Sequence, residues 1–192
     1  MTRMIVLGAP GAGKGTQAAR LAEYFGIPTI STGALFRSHM AEGSELGELA
    51  RGYIDKGNLV PDEVTTRMLE ERLAADDVRD GFILDGYPRN LEQASALDEM
   101  LGANGLTAVV DFEIRGTEVV KRLLARAAIE GRSDDNEEVI RHRLHVYREK
   151  TAPLVDHYEN RGLLVRVDAK GEIDEVTERT IGSLNALREG TY

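Results

Sequence analysis

The segment Gly8-Ala9-Pro10-Gly11-Ala12-Gly13-Lys14-Gly15-Thr16 constrains the fold of this chain more tightly than any other stretch. A short apolar run, Met4 to Leu7, precedes it, and an amphipathic pattern, Gly13 to Phe25, follows it. Glycines at this density between a strand and a helix let backbone N–H groups turn inward on one point, where the helix N-terminus adds its partial positive charge. Such a loop is a nest for phosphate, with Lys14 as a mobile cation for the terminal phosphates. A plain glycine-rich turn with a solvated lysine is the bland alternative, and the strand–loop–helix setting argues against it. One detail departs from the general phosphate-loop pattern: Gly15 stands directly after the lysine, where Ser or Thr is usual, and the hydroxyl comes one residue later at Thr16.

The same alternation continues along the chain. Apolar runs at Thr29–Ile30, Phe82–Leu84, Ala108–Ile114 and Leu163–Val167 read as short strands buried on both faces. Helical patterns fall at 33–42, 45–56, 62–75, 91–101, 117–128, 136–161 and 173–188. This predicts an α/β fold, a parallel sheet covered by helices on both faces. Between Ile30 and Phe82 there are three helical patterns and no strand, so this interval reads as an inserted lobe. Ala127 to Asp135 reads as a short polar segment between two helices. In the last helix, Ile173, Val176, Ile181, Leu184 and Leu187 form a stripe expected to face the core.

Charge and cysteine usage narrow the function. The 33 Asp and Glu outweigh the 24 Lys and Arg, a net charge of −9 over 192 residues. That balance argues against general nucleic-acid binding, so cations for an anionic ligand must be placed locally. Cysteine is absent, which excludes disulfides, thiolate chemistry and Cys-based zinc sites. The opening apolar run is too short for a signal peptide, and charges and glycines interrupt every run before it could span a membrane. A soluble cytoplasmic protein is expected.

Single residues then become informative. Asp85 ends an apolar strand, where open α/β sheets place their ligand sites, and could hold a magnesium-bound water there; as Asp before Gly it could equally cap a turn. Arg89, held in a rigid turn after Pro88, could grip a phosphate with a bidentate fork. Gln93 lies one helical turn on and offers both a donor and an acceptor. Arg126, Arg132 and Arg143 flank a short polar loop, an arrangement suited to a charge-dense transfer between phosphates. Asp134 and Asp135 precede Glu137 and Glu138 at capping-box spacing, so they read equally as helix caps or as acids that hold the arginines. His142 and His145 are three apart on one helix but lack a third ligand, and His39 and His157 have no evident partner. No metal is assigned to them.

Taken in order, Ser31-Thr32-Gly33 with Arg37, Gly57-Asn58-Leu59-Val60-Pro61, Asp85-Gly86-Tyr87-Pro88-Arg89 with Gln93, Arg126, Gly131-Arg132-Ser133-Asp134-Asp135, Arg143, Thr151-Ala152-Pro153-Leu154 and Gly171 join the glycine loop and Gln17. The series resembles the nucleoside monophosphate kinases, the adenylate kinase family in particular, over nearly the whole chain. The resemblance implies one domain, residues 1–192. Its core would be 1–30, 61–125 and 137–192, its monophosphate-binding lobe 31–60 and its short lid 126–136. It implies reversible, magnesium-dependent transfer of the γ-phosphoryl of ATP to AMP, giving two ADP. A monomer is expected because two lobes must swing freely and no long apolar seam is evident.

By the same resemblance Gly11, Ala12, Gly13, Lys14, Gly15, Thr16, Arg126 and Gly171 bind ATP. Thr32, Arg37, Asn58, Leu59, Val60, Gly86, Tyr87, Pro88, Arg89, Gln93, Arg132 and Arg143 bind AMP, with Gln93 and Thr32 on the base. Lys14, Arg89, Arg126, Arg132 and Arg143 carry the catalysis. Magnesium would arrive with ATP and meet Asp85 only through water, and the short lid without cysteine speaks against structural zinc. A UMP/CMP kinase shares the loop, the lid and the arginines, with Thr32 and Gln93 standing against it. A guanine-specific switch would carry an Asn-Lys-x-Asp motif, and the sequence has none.

Overall fold

Alternate residues of each strand belong to opposite faces, and the two faces are built from different partners. The computed structural model describes residues 1–192, the side chain of Asn104 excepted. Its strands are β1 (Thr2–Gly8), β2 (Thr29–Ser31), β3 (Gly81–Asp85), β4 (Ala108–Glu113) and β5 (Leu164–Asp168). They pair in parallel in the order β2-β3-β1-β4-β5. On one face Met4, Val6, Val110, Phe112, Val165 and Val167 pack against Ala18 and Leu21 of α1 (Lys14–Phe25) and Val176 and Leu184 of α9 (Ile173–Arg188). On the other, Ile5, Leu7, Ile30, Leu84, Val109 and Leu164 meet Leu69 of α4 (Asp62–Leu73), Leu97 of α5 (Leu91–Leu101), and Leu154 and Tyr158 of α8 (Pro153–Glu159). Both faces are apolar because both are covered, the condition a parallel sheet requires. The strand order reverses at β1, and the crevice beyond the carboxyl ends of β1 and its neighbours is where such sheets take ligands.

The strand-poor interval is helical, as expected. Its helices α2 (Thr32–Glu42) and α3 (Glu45–Ile54) share a small core of their own, Phe36, Ala50 and Val60, with Leu46, Tyr53, Val64 and Met68 around it. Gly47 makes their close approach possible: a Cβ there would sit 2.0 Å from the His39 carbonyl oxygen. A lobe with its own core can move as a unit against the sheet.

Three expectations need correction. The helix read over 117–128 runs further, through residues 129 and 130 of the segment expected to be loop: α6 spans Gly116–Glu130, because Ala127 and Ala128 carry the helix on until Gly131 takes the left-handed conformation that ends it. The single helix read over 136–161 is three segments, α7 (Glu137–Val146), a π-helical turn (Tyr147–Thr151) and α8. Pro153 lacks an N–H and cannot continue a regular turn, and the Ala152 N–H reaches back to the Tyr147 carbonyl instead. In α9, Val176 and Leu184 are buried and Ile181 and Leu187 pack beside them, but Ile173, at the first position, is 48% exposed.

Candidate active site

The glycine loop closes around β1 as the sequence demands. Gly11 and Gly13 have φ of 84° and 93°, a region open to glycine, and Gly13 caps α1 in the left-handed conformation. Gly11 is also needed for packing, since a Cβ there would lie 2.9 Å from Leu123 of α6. Lys14 folds back over the loop, its Nζ donating to the carbonyls of Gly8 (2.9 Å) and Ala9 (3.2 Å). Burial lowers its pKa to about 8, and the nearby guanidiniums of Arg89, Arg143 and Arg126 push the same way against the opposing charge of Asp85.

The loop floors a cavity of about 540 Å³ whose wall includes Gly11, Gly13, Lys14, Gly15 and Thr16. Thr32, Arg37, Asn58, Leu59, Val60, Gly86, Pro88, Arg89 and Gln93 also line it, as do Arg126, Arg132, Asp134 and Arg143. Ala12, Tyr87 and Gly171 do not reach the wall. Ala12 is buried and donates its N–H to the Ala9 carbonyl, Tyr87 is buried with its hydroxyl 2.8 Å from that of Thr66, and a Cβ on Gly171 would point at Glu175.

Gly86 organises part of this wall. Its carbonyl accepts from Thr32 Oγ1 (2.9 Å) and from Arg89 Nε (2.9 Å), so one backbone oxygen fixes both side chains. The Arg89 carbonyl in turn accepts from Thr151 of the π-helical turn (2.7 Å), tying that irregular turn to the cavity. Arg37 and Arg89 both have pKa values lowered from the ordinary guanidinium range, first by burial and then by neighbouring arginines, Arg132 for Arg37 and Arg143 for Arg89. Like-charged groups crowded in this way hold a standing demand for an anion.

The two aspartates of the polar loop hold arginines and do not cap. Asn136 is the N-cap of α7, accepting from the Val139 N–H, which displaces the capping-box reading of Asp134 and Asp135. Asp135 is buried and grips Arg126 through both Nε (2.6 Å) and Nη2 (2.5 Å), while Arg143 Nη1 approaches at 2.7 Å. Arg143 also meets Asp134 at 3.0 Å. Burial by itself would raise the Asp135 pKa, but the bonds from Arg126 and the charges of Arg126 and Arg143 outweigh it and hold the carboxyl below the usual carboxylate range. Arg132 pairs with Glu130 at 2.6 Å on the cavity rim.

Magnesium needs a hard oxygen donor and room for its waters beside the phosphates. Asp85 Oδ2 lies 3.5 Å from where a Cβ on residue 15 would stand. Gly15, the departure from the general loop pattern, therefore keeps the space in front of that carboxylate clear, and the residues present fit a hydrated cation carried on a nucleotide. Among the described residues no cluster of three or more His, Asp or Glu is gathered to cage a metal. The histidines find other work: His142 Nε2 lies 2.6 Å from Asn58 Oδ1, His39 Nδ1 lies 3.0 Å from Ser44 Oγ, and His157 faces Arg161.

Among the wall residues that the sequence does not single out, Arg122 and Tyr147 are polar and well placed. Arg122 lies one turn before Arg126 on α6 and donates to the Ala169 carbonyl (3.2 Å), and Tyr147 opens the π-helical turn. The four-residue interval between Arg122 and Arg126 was the available signal.

Comparison with known proteins agrees with this geometry. A profile of the adenylate kinase family matches residues 6–163. The adenylate kinase of Thermobifida fusca is 55% identical over 186 residues, 96% of this chain and 98% of that protein. That of Kocuria rhizophila is also 55% identical, over 96% of this chain and 99% of its own length. The enzyme of Mycobacteroides abscessus is 53% identical over 95% and 98%.

Proposed function

The chain belongs to the adenylate kinase family, and from that premise we propose how the cavity moves a phosphoryl group from ATP to AMP. The observation that carries the reading is that one cavity is lined both by a glycine-loop anion nest and by six arginines, Arg37, Arg89, Arg122, Arg126, Arg132 and Arg143. A protein that merely sensed one nucleotide would need only the first. A nest together with that many cations suits a transfer from one nucleotide to the other.

In this reading the loop amides and Lys14 hold the ATP phosphates, and Arg37 and Arg89 hold the AMP phosphate. Arg126, Arg132 and Arg143 face the charge that spreads over the transferred group. No side chain is required as a covalent nucleophile, because a phosphate oxygen of AMP attacks the γ-phosphorus directly and ADP leaves from the other side. Positioning and charge stabilisation supply nearly all the catalysis in such chemistry. The arginines enter already oriented, since Asp135 and Asp134 hold Arg126 and Arg143 before any substrate arrives. Magnesium bound to the ATP phosphates would neutralise part of their charge, with Asp85 receiving its waters. Gln93 and Thr32 meet the acceptor base. The lid touches the lobe 31–60 through Ser133 Oγ to Asp55 Oδ1 (2.6 Å), and His142 of α7 adds a contact to Asn58; closure of these elements over the cavity would exclude the water that competes as acceptor.

A nucleotide panel tests the assignment: purified protein with Mg-ATP and each of AMP, CMP, UMP and GMP, followed by diphosphate formation. Turnover with AMP far above the others is expected. Comparable turnover with CMP or UMP would keep the transfer and overturn the base-reading role of Thr32 and Gln93.

A further inference from the structure

Gln93 is a buried amide whose two ends are held by different groups. Its Oε1 accepts from the Arg89 backbone N–H at 2.7 Å, and its Nε2 donates to Asp62 Oδ1 at 2.8 Å. Asp62, at the first position of α4, is itself fixed, because Asn90 Nδ2 donates to the same oxygen at 2.9 Å. Asn90 has no freedom to turn either, since its Oδ1 caps α5 by accepting from the Gln93 N–H at 2.8 Å. Rotating the Gln93 amide by half a turn would set its oxygen against the Asp62 oxygen and its NH2 group against the Arg89 N–H. Two hydrogen bonds would become two repulsions.

An amide has two N–H donors and two acceptor lone pairs. With one of each committed to Asp62 and Arg89, one donor and one acceptor remain on a side chain that lines the cavity. In this orientation the pair matches the N1 acceptor and 6-amino donor of adenine. The flipped amide would match the reverse pattern, the N1–H donor and 6-oxo acceptor of hypoxanthine or guanine. We infer that Asp62 is a positioning residue for base specificity: it locks the Gln93 amide in the one orientation that accepts a 6-aminopurine monophosphate and rejects a 6-oxopurine monophosphate. This rests on the reading that Gln93 meets the acceptor base. Asp62 lies 31 residues from Gln93 and also sits in the first turn of α4, where a carboxylate favours the helix by charge alone.

The experiment compares kcat/KM for AMP with kcat/KM for IMP in the wild type and in Asp62→Ala, Asp62→Asn and Gln93→Ala, using Mg-ATP as donor. IMP is the probe because it reverses the hydrogen-bond pattern without adding the 2-amino group of guanine. Ratios are compared, so a fraction of misfolded protein cancels. Gln93→Ala should collapse the AMP preference. Asp62→Ala should lower it by roughly tenfold, the worth of about one orienting hydrogen bond, with the KM for ATP unmoved. Asp62→Asn, which keeps the Oδ1 acceptor but loses the charge, should restore most of the ratio. An unchanged ratio in Asp62→Ala beside a collapsed one in Gln93→Ala overturns the inference and leaves the base reading standing. Equal losses in Asp62→Ala and Asp62→Asn assign the effect to the helix charge and also overturn it. An unchanged ratio in Gln93→Ala removes the base reading and the inference with it.

Discussion

The glycine loop and the arginine cluster prepare for the same kind of charge by opposite means. The loop is mostly backbone. Its shape is set by Gly11 and Gly13 at positive φ, its packing by Leu123 against Gly11, and its one cation, Lys14, is half-buried with no acid in hydrogen-bonding contact. The cluster is all side chain, and three of its guanidiniums are already bonded to carboxylates, Arg126 to Asp135, Arg132 to Glu130 and Arg143 to both Asp134 and Asp135. The difference shows in their ionisation: Lys14 is pushed down by burial, whereas Asp135 bonding outweighs burial and raises Arg126. Backbone donors need no partner to stay aimed, but long side chains do. On the function proposed above, acids to lean on are what would keep these arginines ready for the transferred charge, and Asp134 and Asp135 would then be part of that geometry.

The comparison breaks first at the cluster. Arg132→Ala should lower kcat by roughly a thousandfold or more while leaving ATP affinity at the loop within about threefold. Single-turnover kinetics together with direct ATP binding measure both, and a normal kcat would remove Arg132 from the transfer. Asp135→Asn comes next. It keeps Arg126 and Arg143 but loosens the carboxylate that both share, so kcat should fall roughly a hundredfold, the scale of a misplacement of about 1 Å. The same change at Asp134, which holds only Arg143, should cost distinctly less. Equal effects at the two positions would show that Asp135 is not the common support.

The smallest effect concerns the loop and has a sign fixed by Lys14. In the empty site Lys14 loses its proton as pH rises through about 8, and the charged form is the one that phosphate favours. ATP affinity should therefore be flat below pH 8 and weaken by up to about tenfold per unit above it, as proton uptake accompanies binding. Calorimetric titration of ATP between pH 6.5 and 9.5 reads this directly, and Lys14→Arg should flatten the profile. A flat profile in the wild type would mean that Lys14 is charged before the nucleotide arrives.

What the sequence made legible was whatever the chain writes locally. The strands were apolar runs bounded by glycine or polar turns, and the loop carries its function in its spacing. Residues 129 and 130 read as loop because they stand beside a glycine and polar residues, although the alanines before them favour helix and Gly131 is where it ends. The roles of Asp134 and Asp135 were undecidable from spacing, since a cap and an ion pair use the same residues, and Asn136 settled the matter by capping α7 itself. Nothing in the sequence separates Arg122 from a solvated helix arginine, and only the placement of α6 against the cavity does so. The Asp62–Gln93 contact joins two helices and leaves no trace in either one's pattern.

The hydrogen bonds from Ser133 to Asp55 and between His142 and Asn58 join the segment after α6 directly to the end of the α2–α3 lobe. On the function proposed above, each nucleotide would lie behind a wall latched to the other's, so release of either product would loosen contacts that also confine its twin, and the two exits would be coupled.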